Sequence, residues 1–171
     1  SDNVLIGPIM LMPAGGSVLS FRNHYNTESA FDGGVLEISI NGGAFTDIIT
    51  AGGSFVAGGY NATINVGAVS PIAGRQAWSG SSGGYVTTTV NIPPAANGLN
   101  SILRWRMASD DSVAATGWAV DSINLFVYVC SNLAPVITTH PLSQTVMSGT
   151  TTTLSVVAGG TAPLSYQWYE G

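Results

Sequence analysis

Side chains able to act as acids, bases or nucleophiles are few in this chain, which has two histidines, nine acidic residues and one cysteine. His24 lies in an alternating run and His140 directly precedes Pro141. Neither has a serine, aspartate or cysteine at a recognisable catalytic spacing. Glycoside cleavage needs two carboxylates, and no two of the acidic residues are set apart for that role. The sequence therefore favours a protein without catalytic activity.

Two other features that suggest chemistry have simpler interpretations. Cys130 has no intrachain partner, so we predict a small buried apolar residue, with an exposed thiol that links two chains as the alternative. Residues 51–59 are rich in glycine, as phosphate-binding loops are, but neither a Lys-Ser/Thr pair nor a helix start follows them. We interpret this stretch as a turn.

The charge of the chain argues against two classes of partner. Nine acidic residues face four basic ones, there is no lysine, and the net charge is −5. Nucleic-acid binding needs a basic patch, so we expect no nucleic-acid partner. The longest apolar run, residues 4–12, is interrupted by Gly7 and Pro8 and is shorter than the ~20 residues of a membrane span. We therefore expect no membrane insertion.

Alternating apolar residues, together with 22 glycines and eight prolines, predict many short strands joined by turns. The clearest strand pair lies in residues 21–45 and the residues just before them. Its core-facing side comprises Leu19, Phe21, Asn23, Tyr25, Leu36, Ile38 and Ile40. Further strands are predicted over residues 4–12, 46–50, 60–66, 85–92, 101–107 and 117–129. The pattern predicts an all-β antiparallel sandwich.

Residues 101–107 alternate between a core face and a face that carries Arg104 and Arg106. We expect these arginines to pair across strands with Glu37 or with the acidic neighbours of Arg22. Ion pairs on a protein surface contribute under ~1 kcal/mol each. The arginines are therefore expected to add little to stability.

The first and last predicted strands are apolar on both faces. Residues 4–12 suit either the first strand of their own sandwich or a strand that inserts into the sheet of another molecule. In residues 117–129 we predict that Asp121 points to the core, while Phe126 and Tyr128 point the other way. Something beyond the sandwich is therefore expected to pack on Phe126 and Tyr128.

Four segments together resemble bacterial extracellular jelly-roll modules, relatives of the MAM-like and carbohydrate-binding-module sandwiches of large secreted proteins. They are residues 21–43, 74–85, 103–112 and 117–123, and the likeness covers about residues 3–130. The resemblance implies a non-catalytic jelly-roll β-sandwich, which we place at residues 1–131. It also implies a secreted protein, located outside the cell or at the cell surface.

Many modules of this family bind a structural calcium ion through acids near the ends of facing strands. Carried over position by position, the implied Ca²⁺ ligands are Glu28, Asp32, Asp110 and Asp121. A carboxylate at a core-facing position such as Asp121 would need a cation, an arginine or several N–H donors to neutralise it. The alternative is that these acids only cap turns.

Residues 132–171 are similar to the opening half of a bacterial immunoglobulin-like repeat, a partial Ig-like β-sandwich. Strands are expected at its start, at 143–146, at 151–158 and at 166–169, the last of which carries Tyr166 and the core tryptophan Trp168. A complete repeat has about seven strands. Trp168 would therefore lack an opposite sheet, unless the protein continues, this half folds back on the jelly roll, or a second copy completes it.

Two functions are weighed on this basis. The first is a structural extracellular protein that self-associates with other copies into a fibre or surface assembly by β-strand complementation, through Trp168, Tyr166, Phe126 and Tyr128. The second is an accessory module of a secreted hydrolase or adhesin, which binds a glycan or protein through the aromatic residues Trp78, Tyr60 and Tyr85. A loop tryptophan such as Trp78 can equally pack on its own domain.

Overall fold

The computed structural model describes residues 1–113, 115–127 and 133–169. The chain is all-β, as predicted, with antiparallel sheets, and these residues contain one short 3₁₀ helix at Pro94–Ala96. It divides into two compact units, Ser1–Tyr128 and Val129–Gly171. Tyr128 and Cys130, for which predictions were made, lie outside the described residues.

The first unit is a β-sandwich of two main sheets. Its strands are β1 (Asp2–Ile6), β2 (Met10–Leu11), β3 (Ser17–Asn26), β4 (Gly33–Ile40), β5 (Thr46–Asp47), β6 (Ser54–Ala57), β7 (Ala62–Thr63), β8 (Gln76–Ala77), β9 (Val86–Asn91), β10 (Asn100–Ala108) and β11 (Gly117–Val127). Sheet A has the order β1-β10-β4-β5, and β2 also pairs with β10. Sheet B has the order β11-β3-β9-β6, and β7 and β8 form a separate ribbon.

The core lies between the two sheets and is built from alternate residues of the central strands. On β3 every second residue from Ser17 to Tyr25 is buried, as the alternation predicts. Phe21 contacts the rings of Trp78 and Trp105 edge-on, with ring centroids 5.7 and 5.5 Å apart. Gly34 lets the Trp118 ring lie against β4, since a Cβ there would lie 2.6 Å from that ring. The core of the sandwich is therefore a cluster of aromatic rings, most of which meet edge to face.

Strand β4 is buried on both faces, whereas alternation predicted one face in the core and one in solvent. The cover comes from the irregular connection between β6 and β9. Its residues Ile64, Ile72 and Ala77 pack with Val35 in a second buried cluster on the outer face of sheet A. Because this segment has almost no regular structure, no periodicity indicates that it covers a sheet.

Several predicted strands are shorter or interrupted. The run 4–12 becomes β1 and β2, which flank Gly7 and Pro8, because proline cannot donate a ladder hydrogen bond. Both strands pair with β10, so the run belongs to its own sandwich. Conversely, the stretch 51–59, interpreted as a turn, contains β6, which pairs with β9.

Strand β11 contains a β-bulge that changes which residues face the core. The register to β3 shifts between Asp121 and Asn124, and Ser122 has φ 52°. Before the bulge Trp118 and Val120 face inward, opposite the buried residues Tyr25 and Asn23. The predicted inward orientation of Asp121 is therefore wrong: its side chain is exposed.

The second unit has two described strands, β12 (Val136–Thr139) and β13 (Val157–Gly159), which pair antiparallel. The strands predicted at 143–146 and 166–169 are not formed. Residues around Gln144 still run beside 151–153, because the Gln144 side-chain amide donates to the Thr153 carbonyl at 3.1 Å. Within residues 133–169, the sheet of this unit is therefore limited to one ribbon.

Candidate functional site

Three of the four predicted metal ligands meet at one end of the first unit. Glu28 and Asp32 lie in the loop between β3 and β4, and Asp110 follows β10. Since β4 and β10 are antiparallel neighbours with Gly33 opposite Ala108, the two loops lie side by side. One carboxylate oxygen of each acidic residue lies within 4.8 Å of the others. We call these three residues the acidic cluster.

Hydrogen bonds from both loops hold the acidic cluster in place. Asp32 is buried, and its Oδ1 accepts the backbone N–H of Asp110 at 2.9 Å. The Ser112 hydroxyl lies 3.2 Å from Glu28 Oε2 and 3.0 Å from Asp110 Oδ1. Ser79 donates to the Asp32 carbonyl at 2.6 Å. Neither serine was predicted, since serine is too common in this chain for its spacing to be informative.

The spacing of the acidic cluster would allow its three carboxylates to share one metal ion. Ca²⁺ binds oxygen ligands at about 2.4 Å, so two ligands of one ion are at most about 4.8 Å apart. The three carboxylate oxygens meet this limit. The cluster has a turn-capping role as well, because Asp110 Oδ1 accepts the Ser112 N–H at 2.9 Å.

Asp121, the fourth predicted ligand, is not part of the acidic cluster. It lies four residues into β11, about 13 Å along the strand from Gly117. Its Oδ1 accepts the Ser122 N–H at 2.6 Å, inside the bulge. The strand carries Asp121 away from the end of the sandwich where the other three acids lie.

Trp78 is fully buried, so the prediction that it stacks on a ligand is wrong. The indole Nε1–H donates to the Gly58 carbonyl at 2.9 Å. The rings of Phe55, Tyr60 and Trp118 surround it at centroid distances of 5.5, 4.7 and 5.5 Å. Backbone bonds of 2.9 Å in both directions with Gly34 fix Trp78 at the edge of β4. It is a core residue.

Tyr60 is also committed to internal contacts. Its hydroxyl accepts the Leu36 N–H at 2.9 Å and lies 3.0 Å from Asp47 Oδ2. Burial, and next the negative charge of Asp47, raise the pKa of the Tyr60 hydroxyl, so it stays protonated. The predicted ligand-binding role of Tyr60 is therefore not supported by its position.

Tyr85 is the exposed member of the predicted aromatic set. The Arg22 guanidinium lies 5.1 Å from its ring centroid, and the His24 ring lies 5.6 Å away. Arg22 and His24 occupy alternate positions on the outward face of β3, as the alternation predicted, although the sequence did not mark them as a site. On this face of sheet B, the Tyr85 ring is accessible for a flat polar ligand to stack on.

The residues predicted for assembly are largely accessible. Trp168 is 54% exposed and Tyr166 is similarly exposed. Both line an apolar groove of about 320 Å³ in the second unit. Phe126 is exposed on the outward face of β11, beyond the bulge, as predicted.

Comparison with known proteins gives no family assignment. No protein-family model matches the chain, and no curated protein matches it. Two packed antiparallel sheets do not by themselves identify a jelly-roll or MAM-like domain, so the resemblance stays a prediction. Within the described residues, no helix is long and apolar enough to cross a membrane.

Proposed function

We propose that this is a non-catalytic extracellular structural protein that self-associates by β-strand complementation into a fibre or surface assembly. The groove of the second unit is the observation that supports this function most. Its walls include Val136 and Ile137 of β12, Ala158 of β13, and the rings of Tyr166 and Trp168. An apolar strand of a second copy would bury these side chains.

The energetics of the second unit favour such an addition. A two-stranded ribbon is at best marginally stable in water, and a third strand improves it. An exposed side chain as large as that of Trp168 loses roughly 2–3 kcal/mol of the free energy that its burial would contribute. The chain also has no lysine, a residue that commonly protects strand edges from pairing.

Trp168→Ala is expected to stop the growth of the 171-residue chain into fibres or other large assemblies, because the groove loses its largest apolar wall. Sedimentation velocity and electron microscopy measure this. Tyr169→Ala is the matched control, since Tyr169 is the more exposed ring and does not line the groove. The melting transition of the first unit should stay nearly unchanged in both variants.

A wild-type chain that stays monomeric at all concentrations would contradict self-association. In that case the second function, an accessory module that binds a glycan or protein, becomes the better one. The observation that favours it is the exposed Tyr85 ring beside Arg22 and His24. Retention of the monomer on a polysaccharide column, lost in Tyr85→Ala, would support it.

We also propose a structural Ca²⁺ ion at the acidic cluster. Millimolar calcium is then expected to raise the melting temperature of the first unit, and a chelator to reverse this, because an ion that binds the folded state stabilises it. At 100 times the dissociation constant the gain is about 2.7 kcal/mol. Differential scanning calorimetry measures the shift.

Two variants separate this calcium site from general ionic effects. Asp110→Asn removes one ligand charge from the acidic cluster and should abolish the calcium response. Asp121→Asn removes an exposed carboxylate outside the cluster and should leave the response intact. An equal loss in both variants, or no response in the wild type, would leave turn capping as the role of these acids.

A further inference from the structure

One lateral side of the first unit leaves core-facing side chains uncovered. It is formed by β1, the edge strand of sheet A, and β11, the edge strand of sheet B. Leu5 lies opposite Trp105 and so shares its inward face, yet Leu5 is 50% exposed. Val127 lies opposite the buried Ser17 and is 51% exposed. Inward-facing residues at an ordinary sandwich edge are covered, and these are not.

Two cavities open along this side. The first, about 230 Å³, lies between Asn3 and Leu5 of β1 and Trp118 and Val120 of β11. The second, about 300 Å³, continues the opening beside Trp105 and has almost entirely apolar walls. The indole N–H groups of Trp105 and Trp118 are buried and have no hydrogen-bond acceptor among the residues that the structure describes. A group that covers this side therefore has to bring apolar side chains to match the apolar walls.

Some backbone N–H and C=O groups of β1 do not pair with β10. Gly7 N–H donates to the Leu103 carbonyl and Ser109 N–H donates to the Ser1 carbonyl, each at 2.9 Å. The odd-numbered residues of β1 therefore exchange bonds with β10. Since the bonding direction alternates along an antiparallel strand, the even-numbered residues Asp2, Val4 and Ile6 direct their N–H and C=O groups away from β10. This free edge is symmetric about Val4.

The charges on β1 allow the same strand of another copy to approach. Asp2 is the charged residue of β1, and Arg106 neutralises it through two contacts of 2.8 Å. The hydrogen bond from Arg106 lowers the pKa of Asp2, so this ion pair persists at neutral pH. Residues 3–6 carry no charge and remain half-exposed. Two β1 strands can therefore meet without like-charge repulsion.

We propose that β1 pairs antiparallel with β1 of a second copy about a two-fold axis at Val4, so that sheet A runs through both copies. Val4 then faces Val4 of the second copy, and Asp2 faces Ile6, which pairs the free backbone groups of both edges. Asn3 and Leu5 lie opposite one another on the inward side. There they bring an amide oxygen and an apolar side chain to the first cavity. This interface rests on the proposed self-association and names a surface that contributes to it.

The test uses the full chain with Trp168→Ala, in which association through the groove is removed. This variant is expected to form dimers through β1. Adding Val4→Pro should raise the dimer dissociation constant at least about tenfold, because it removes an outward N–H from each copy while the bonds to β10 remain. Val4→Ala, which keeps that N–H, should cause a smaller change. Sedimentation equilibrium measures the constant, and circular dichroism checks that each variant is folded.

Disulfide trapping provides a second readout that does not depend on how well proline is tolerated. Directly opposed residues of a hydrogen-bonded pair have Cα atoms about 5.5 Å apart, within the range of a disulfide. Val4→Cys in a Cys130→Ser background should therefore form covalent dimers under oxidising conditions. Val56→Cys is the control, since Val56 is an exposed valine on the edge strand β6.

The outcomes distinguish this interface from the function it rests on. The wild type could assemble while the Trp168→Ala chain is monomeric and Val4→Cys does not cross-link. That result would overturn β1 pairing and leave assembly through the groove in place. Assemblies that persist in Trp168→Ala but dissociate with Val4→Pro would support β1 pairing and contradict the groove. A monomeric wild type without cross-linking would overturn both.

Discussion

A Trp78→Ala variant is expected to lower the free energy of unfolding of the first unit by about 4–5 kcal/mol, near the top of the range for buried aromatic residues. Trp78 is fully buried, and the cavity left by its indole would be lined by Phe21, Phe55 and Tyr60, which cannot collapse without moving both sheets. The Gly58 carbonyl would keep a donor, Thr88 Oγ1, at 2.7 Å. The loss is therefore mainly one of packing. Urea unfolding followed by circular dichroism measures it.

Two further variants keep this prediction informative if Trp78→Ala fails to fold. Trp78→Phe retains part of the ring volume and should cost less than the alanine variant. Tyr85→Ala, at an exposed ring, should change stability by no more than about 0.5 kcal/mol. A small loss in Trp78→Ala, comparable to that in Tyr85→Ala, would mean that Trp78 is not the centre of the core.

Glu37→Ala is expected to destabilise the first unit by about 3 kcal/mol, because it leaves a group of arginines without their shared partner. Glu37 is 2% exposed, and its carboxylate accepts Arg75 Nη1 and Arg104 Nε, both at 2.7 Å. Arg106 lies 3.7 Å away. We expect the lower end of the usual 3–5 kcal/mol range, since the three arginine side chains remain 21–25% exposed. Thermal and urea unfolding measure the loss.

The pH dependence of stability provides the control for the Glu37 prediction. Burial alone would raise the pKa of the Glu37 carboxyl, but hydrogen bonds from Arg75 and Arg104 outweigh burial and lower it. A lowered folded-state pKa means that the stabilisation is complete above the ordinary value of 4.5 and is lost as pH falls through the folded-state pKa. The gap in stability between wild type and Glu37→Gln should therefore be constant near neutral pH and narrow below 4.5. A gap that does not change on acidification would contradict a charged role for Glu37.

Alternation in the sequence predicted the strands whose one face lies in the core, and β3, β9 and β10 have their inward residues where expected. It did not predict the burial of Glu37. The cover of its face comes from an irregular segment that contributes Arg75, and such a segment leaves no periodic signal. The predicted pairing of Arg104 with Glu37 is confirmed, but the partner is a buried carboxylate and not a surface one.

The acidic cluster shows which of the predicted metal ligands could be placed correctly from the sequence. Glu28, Asp32 and Asp110 lie at loop positions next to paired strands, so their convergence follows from the sheet register. Asp121 was assigned an inward position because it shares a period of two with Leu125 and Val127, which do lie opposite the buried residues Leu19 and Ser17. That assignment assumes an uninterrupted period of two, and the bulge at Ser122 breaks it. Short polar residues in a strand tolerate such a bulge, but their presence does not predict one.

Because loop residues cover the outer face of β4, the two broad surfaces of the sandwich differ. One broad surface is occupied by the chain's own loop, and the other, with Arg22, His24 and Tyr85, is open. A two-fold axis that relates antiparallel strands is perpendicular to their sheet, so a β1-linked pair would display both open surfaces in the same direction. Both surfaces of such a pair could then contact one flat target at the same time. Through avidity, the pair would stay bound to a target from which a single copy would dissociate.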